Sequence, residues 1–166
     1  MRLSARYDYS APVEAVADLL AERGFQLQAA EAAGAVASEV EVVGGPAGEF
    51  TVTSRGASPV DHLPQRVRAF LPAALEIRQA QVWSGPAADG HRRATLAGEI
   101  VGAPVQVTGL LDLAPNGAGS RLSFAGEVKA QLPLVGPAIE QAAVPAVSRY
   151  LEAQHEVAER WLAEAA

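Results

Sequence analysis

The chain has 166 residues and a mass of 17.2 kDa, enough for one domain with a sizeable core, and its 49% apolar content excludes disorder. Thirteen basic against 19 acidic side chains leave a net charge of −6, which argues against a nucleic-acid partner, because a basic footprint is the first requirement there. Cysteine is absent, which removes disulfides, thiolate catalysis and zinc–thiolate sites, and no stretch approaches the ~18 uncharged apolar residues that cross a bilayer.

Residues 2 to 9 alternate. Leu3, Ala5, Tyr7 and Tyr9 point one way and Arg2, Ser4, Arg6 and Asp8 the other, which predicts a half-buried strand. Ser10-Ala11-Pro12 followed by Glu14 predicts a helix start, since proline suits a first turn and a carboxylate suits the positive helix end. Val13, Val16, Leu19 and Leu20 give that helix one apolar stripe, and Gly24 is placed to stop or kink it. A second short helix is expected from Phe25 to Ala33, ended by Gly34.

From Ala35 the period becomes two. Val36, Ser38, Val40 and Val42 oppose Glu39 and Glu41, and after the turn GGPAG, Phe50 and Val52 alternate with Thr51 and Thr53. Pro59, Pro64 and Pro72 interrupt the pattern, with room between them for one or two helical turns over 62–70 that set Leu63, Val67 and Phe70 on one side. Four more strands follow: Leu75 to Trp83, Ala94 to Ile100, Val105 to Leu113 and Leu122 to Val128. Their reversals fall at Asp89-Gly90, at Gly102–Pro104 and at Pro115-Asn116-Gly117. From Val135 the period is helical. Val135, Ile139, Ala142, Ala146, Tyr150, Val157 and Trp161 lie near one stripe, and thirty residues of helix would reach about 45 Å.

One strand, two short helices, six antiparallel strands and one long helix make an α+β protein, expected as a single domain over 1–166. A sheet with one apolar face must cover it, and only the C-terminal helix is long enough. A curved antiparallel sheet of about seven strands wrapped around that helix is therefore expected. Gly98, Gly109 and Gly126 fall on the inward register of three successive strands, where glycine permits bending or the close approach of a backbone or a ligand.

The segments LPQRVRAFLP (63–72), QAQVW (79–83), GAPVQVTGLLDL (102–113) and LPLVGPAIE (132–140), in this order of elements, resemble the START-like (SRPBCC) helix-grip superfamily. More narrowly, the chain is similar to a family of START-like proteins of unknown function from high-GC bacteria. The resemblance covers nearly the whole chain. It implies a helix-grip fold with a hydrophobic cavity between sheet and long helix, of the kind that holds a sterol, lipid or polyketide; it specifies no chemistry, because fold does not fix function.

The residues themselves name no catalytic group. His62 sits beside Asp61 in the proline-flanked loop, His91 follows a turn, and His155 has Glu152 three residues before it on the last helix, an arrangement that needs metal ligands from other helices and otherwise reads as a solvated face. There is no nucleophile elbow, phosphate loop or dinucleotide fingerprint, and no metal or cofactor is expected. The polar residues on the inward register are Ser38, Ser54, Gln79, Gln81, Tyr7 and Tyr9. Such neutral groups suit a greasy pocket with a few hydrogen-bonding points, or they are paired with backbone or water.

The expected function is therefore that of a soluble cytoplasmic binding protein for a hydrophobic small molecule, with no nucleic-acid partner and no membrane span. Leu63, Val67 and Phe70 would form a lid. Gln79, Gln81, Trp83, Gly98, Val107, Gly109, Phe124, Ala142, Ala146 and Tyr150 would line the cavity. The alternatives are a cyclase- or dehydratase-type enzyme, which needs an inward acid or base, and a cavity-less protein-interaction domain.

Overall fold

The computed structural model describes residues 1–61 and 63–165. Eleven elements follow in order: β1 (Arg2–Tyr9), α1 (Val13–Leu20), α2 (Arg23–Ala32), β2 (Val36–Gly44), β3 (Phe50–Ser58), α3 (Gln65–Arg68), β4 (Leu75–Trp83), β5 (Arg92–Ile100), β6 (Val105–Asn116), β7 (Gly119–Ala130) and α4 (Gly136–Ala165). The strands form one seven-stranded antiparallel sheet in the order β1-β7-β6-β5-β4-β3-β2. This is the expected helix-grip architecture. The six strands after α2 form a meander, and β1 completes the sheet by pairing with β7.

Alternation carries most of the sheet. Along β5, Arg92, Ala94, Leu96 and Gly98 are buried while Arg93, Thr95, Ala97 and Glu99 are exposed. The β6–β7 reversal is a two-residue turn, and the positive φ of 61° falls on Gly117, where glycine has no Cβ to oppose it. The alternation is broken in β2. Ala37 lies at φ 52° in an irregularity between Val36 and Glu39, so Val36 is turned out to solvent instead of joining the inner row of Ser38, Val40 and Val42.

The expected stop at Gly24 is not where α1 ends. Ala21 caps α1, and Gly24 lies in the first turn of α2, where a Cβ would stand 3.7 Å from the Trp161 ring. The helix in the proline-flanked segment, Gln65–Arg68, is one turn long, and His62 lies outside the described residues. Val67 is buried with Val105, Val128 and Ile139, but Phe70 is 52% exposed and does not share that side.

The core comes in two parts. The larger one gathers Val16, Leu20 and Phe25 from the short helices, Phe50, Trp83, Leu96, Leu111 and Phe124 from the sheet, and Leu151 and Val157 from α4. α4 packs closely against α2, β1 and β7, with α3 touching it as well. It runs unbroken through Pro145, which is exposed.

Candidate functional site

The period of two sends Gln79, Gln81 and Trp83 to the inner face of β4 together. Gln81 and Trp83 are each 1% exposed and Gln79 is half-buried. Trp83 stacks on Phe50 with ring centroids 6.0 Å apart, and its indole Nε1 donates to Gln81 Oε1 at 3.1 Å. From α4, Tyr150 comes beside the Gln79 amide. Burial pushes the Tyr150 phenol up to about 12, and the Gln79 amide works against that shift. The inner face of β4 and the middle of α4 thus meet through neutral polar groups.

Three tyrosines share this space. Burial is the first cause that raises the Tyr9 phenol, followed by the nearby Glu159, Tyr7 and Tyr150. Tyr7 is raised by burial and then by Glu152. His155 is half-buried beside the exposed Glu152 and Glu156, and its ring has partners that the expected solvated face did not include. It lies against Tyr7 and Tyr9, with ring centroids at 5.3 and 4.9 Å, and its Nε2 donates to the Asp8 carbonyl at 2.7 Å. Its ring therefore pins α4 to the end of β1. Among the described residues, Tyr9 Oη, Ser38 Oγ and Gln81 Nε2 are buried side-chain atoms without a hydrogen-bond partner.

The inward register carries one charge that sequence reasoning missed. Arg92 is fully buried at the start of β5, next to the exposed Arg93. Its Nη1 donates to the Gly48 and Ser84 carbonyls at 3.1 and 3.3 Å, its Nη2 to Pro46 O and to Glu14 Oε2, and its Nε to Glu14 Oε1. Every nitrogen of the guanidinium is engaged. Arg92 is a structural clasp joining α1, the β2–β3 turn and the end of β4, and it has no donor aimed at open space.

The glycines have a different tenant from the one their register allowed. A Cβ on Gly109 or Gly126 would overlap the ring of Phe124, and one on Gly98 would stand 2.8 Å from Val107 Cγ1. Their missing side chains therefore make room for Phe124 and Val107. Of the other expected lining residues, Val67 belongs to the core, Leu63 and Ala142 are half-buried, and Ala146 is exposed.

A groove of about 680 Å³ crosses the sheet from β2 to β6. Its lining combines the outward residues Thr53, Ala80, Ala97 and Thr108 with the next outward row, Arg55, Arg78, Glu99 and Gln106, and the positions between them. No α4 residue borders it, nor do the next inward side chains Gln81 and Leu96. By the alternation of the strands, the groove opens on the face away from α4. Its charges are exposed, with Arg55 and Arg78 both engaged by Glu76, so no buried polar group positions a ligand there.

A curved antiparallel sheet that grips one long terminal helix is the START-like, helix-grip fold. The solved structures agree on that fold. A protein of Thermus thermophilus, TTHA0849, superposes with a TM-score of 0.64 over all of both chains at 15% identity. The STAR-related lipid transfer protein of Xanthomonas axonopodis gives 0.58 at 15% identity, covering 95% of this chain and 85% of that one. A START superfamily protein of Mycobacterium smegmatis gives 0.57 at 12% identity, covering 96% and 98%.

Residues 4–162 match the family described as Protein of unknown function (DUF2505), and the chain belongs to that family. Among curated proteins it is 27% identical over 103 residues to the uncharacterized protein Rv0481c of Mycobacterium tuberculosis and to Mb0491c of Mycobacterium bovis. That match covers 61% of this chain and 59% of the length of those relatives. No helix among the described residues is long and apolar enough to cross a membrane.

Proposed function

We propose that the protein binds a hydrophobic small molecule, of lipid, sterol or polyketide type, between α4 and the inner face of β3–β5. One observation carries the reading. α4 packs against β1, β7 and α2, whereas on the other arm of the sheet Gln79 of β4 lies beside Tyr150 of α4, both neutral and only half-buried. A site of this composition is greasy, has a few hydrogen-bonding points and holds no spare charge, because Arg92 is consumed by its own partners. The fold is shared with a protein whose name states lipid transfer, which supports the same class of ligand. Gln79, Gln81 and Tyr150 would orient the molecule, Val107 and the Trp83 edge would border it, and the 63–72 segment would cover its entrance.

Burying ~200 Å² of apolar ligand surface at ~25 cal/mol per Å² gives about 5 kcal/mol gross, so apolar contact alone supports modest, promiscuous affinity. A thermal-shift panel of fatty acids, sterols and aromatic polyketides tests the proposal. Stabilisation by several neutral apolar members is expected. A flat response across the panel would speak for a solid interaction domain.

A further inference from the structure

We propose that the inner face of β4 selects a neutral hydrogen-bond acceptor on the bound molecule, a carbonyl or ether oxygen, and that the Nε2 protons of Gln81 are the reader. The inference rests on the reading above, that an apolar molecule enters between the sheet and α4.

The argument starts from an indole. Trp83 Nε1 carries a proton and offers no lone pair, so it can only donate. Its partner at 3.1 Å is Gln81 Oε1, and this fixes which way round the amide lies: oxygen toward Trp83, nitrogen away from it. The arrangement is held firmly, because Trp83 stacks on Phe50 with ring planes 12° apart and both Trp83 and Gln81 are 1% exposed. Gln81 Nε2 then keeps two protons with no acceptor. Native interiors rarely leave such a donor bare, so the position favours a molecule that brings an acceptor with it.

The surroundings set the charge of that acceptor. The cross-strand neighbours of Gln81 are Val52 and Leu96, and the next inward residue along β4 is Gln79, beside Tyr150. The buried cation, Arg92, has committed its donors to Glu14 and to three carbonyls. A carboxylate would therefore lose its water and find no cation, while an amine would set a donor against donors. A ketone, ester or ether oxygen meets neither penalty.

Three matched probes on the full chain test this by isothermal titration. 2-Acetylnaphthalene carries a ketone oxygen, 2-ethylnaphthalene has nearly the same shape without an acceptor, and 2-naphthoate is charged. The ketone should bind about five- to tenfold more tightly than the ethyl compound, with the naphthoate weakest. In Gln81→Leu the advantage of the ketone should vanish while 2-ethylnaphthalene binds at least as well as before. Trp83→Phe leaves Gln81 in place but frees its amide to turn, and should cut the ketone advantage to roughly twofold; it serves equally if Gln81→Leu fails to fold. The side-chain amide resonances of Gln81 should shift with the ketone and hardly move with the ethyl compound. Equal affinity for ketone and ethyl compounds, or a preference that survives Gln81→Leu, would overturn the acceptor proposal and leave the apolar pocket standing. Absence of binding by all three probes would overturn both.

Discussion

The Arg92 guanidinium meets the Glu14 carboxylate with two nitrogens, Nη2 to Oε2 at 2.8 Å and Nε to Oε1 at 3.3 Å, across 78 residues of sequence. The two ends differ in exposure. Arg92 is fully buried, whereas the Glu14 side chain is 57% exposed. Removing Arg92 would leave the carbonyls of Gly48, Ser84 and Pro46 without their donor, so Arg92→Met should lower unfolding stability by about 3–5 kcal/mol. Glu14→Gln keeps a hydrogen-bonding group at an open site and should cost less than about 1 kcal/mol. Urea unfolding of the two variants checks the ordering, and equal losses would contradict the clasp.

Phe124 occupies the space that Gly109 and Gly126 leave vacant. Gly109→Ala should therefore destabilise by about 1–3 kcal/mol through overlap with the ring. Shrinking the ring should return part of that loss, so Phe124→Leu combined with Gly109→Ala is expected to be less damaging than the sum of the two changes. A double-mutant cycle in urea measures the coupling. Strict additivity would mean that the ring and the glycine do not share that space.

Tyr7, Tyr9 and Tyr150 all have phenols raised above the ordinary value of 10.0, with burial the leading cause in each and Tyr150 reaching about 12. A phenol raised in the folded state keeps its proton there while the unfolded chain gives it up. Stability from these groups is therefore complete below pH 10 and declines as pH rises from about 10 toward 12. Absorbance at 295 nm should show less tyrosinate at pH 10.5 in the folded protein than in the unfolded chain, whose phenols are then about three-quarters ionised. Half-titration near pH 10 in the folded state would contradict the burial of this cluster.

Val67 and Phe70 lie three residues apart and should behave oppositely. Val67 is 3% exposed in the cluster with Ile139, so Val67→Ala should cost about 1–3 kcal/mol. Phe70 is half-exposed, and Phe70→Ser should stay within about 0.5 kcal/mol of the parent. If the 63–72 segment covers the entrance of the site, Phe70→Ser changes the rate of ligand uptake more than it changes stability. Stopped-flow uptake of a fluorescent apolar probe, set beside urea unfolding, separates the two effects.

The architecture was legible because it rests on long repeating patterns. Two-residue alternation persists through most of the sheet, and a stripe along thirty residues can belong only to one long helix. The same alternation brought Gln79, Gln81 and Trp83 to one face, and the register of α4 brought Tyr150 to meet Gln79. What escaped depends on partners far away in the chain. Arg92 looks like half of a charged dipeptide until Glu14 and three carbonyls surround it. Nothing near His155 in the chain shows that Tyr7 and Tyr9 will pack on its ring. Nothing local announces that Ala37 will sit at a positive φ, or that Phe124 will fill the room its glycine neighbours leave.

Native mass spectrometry of protein purified without detergent addresses the binding reading most directly. The account predicts a population carrying one neutral adduct of a few hundred daltons, released by organic solvent and displaced stoichiometrically by 2-acetylnaphthalene. A single bare mass that stays bare after incubation with that ketone and with a mixed lipid extract would contradict it.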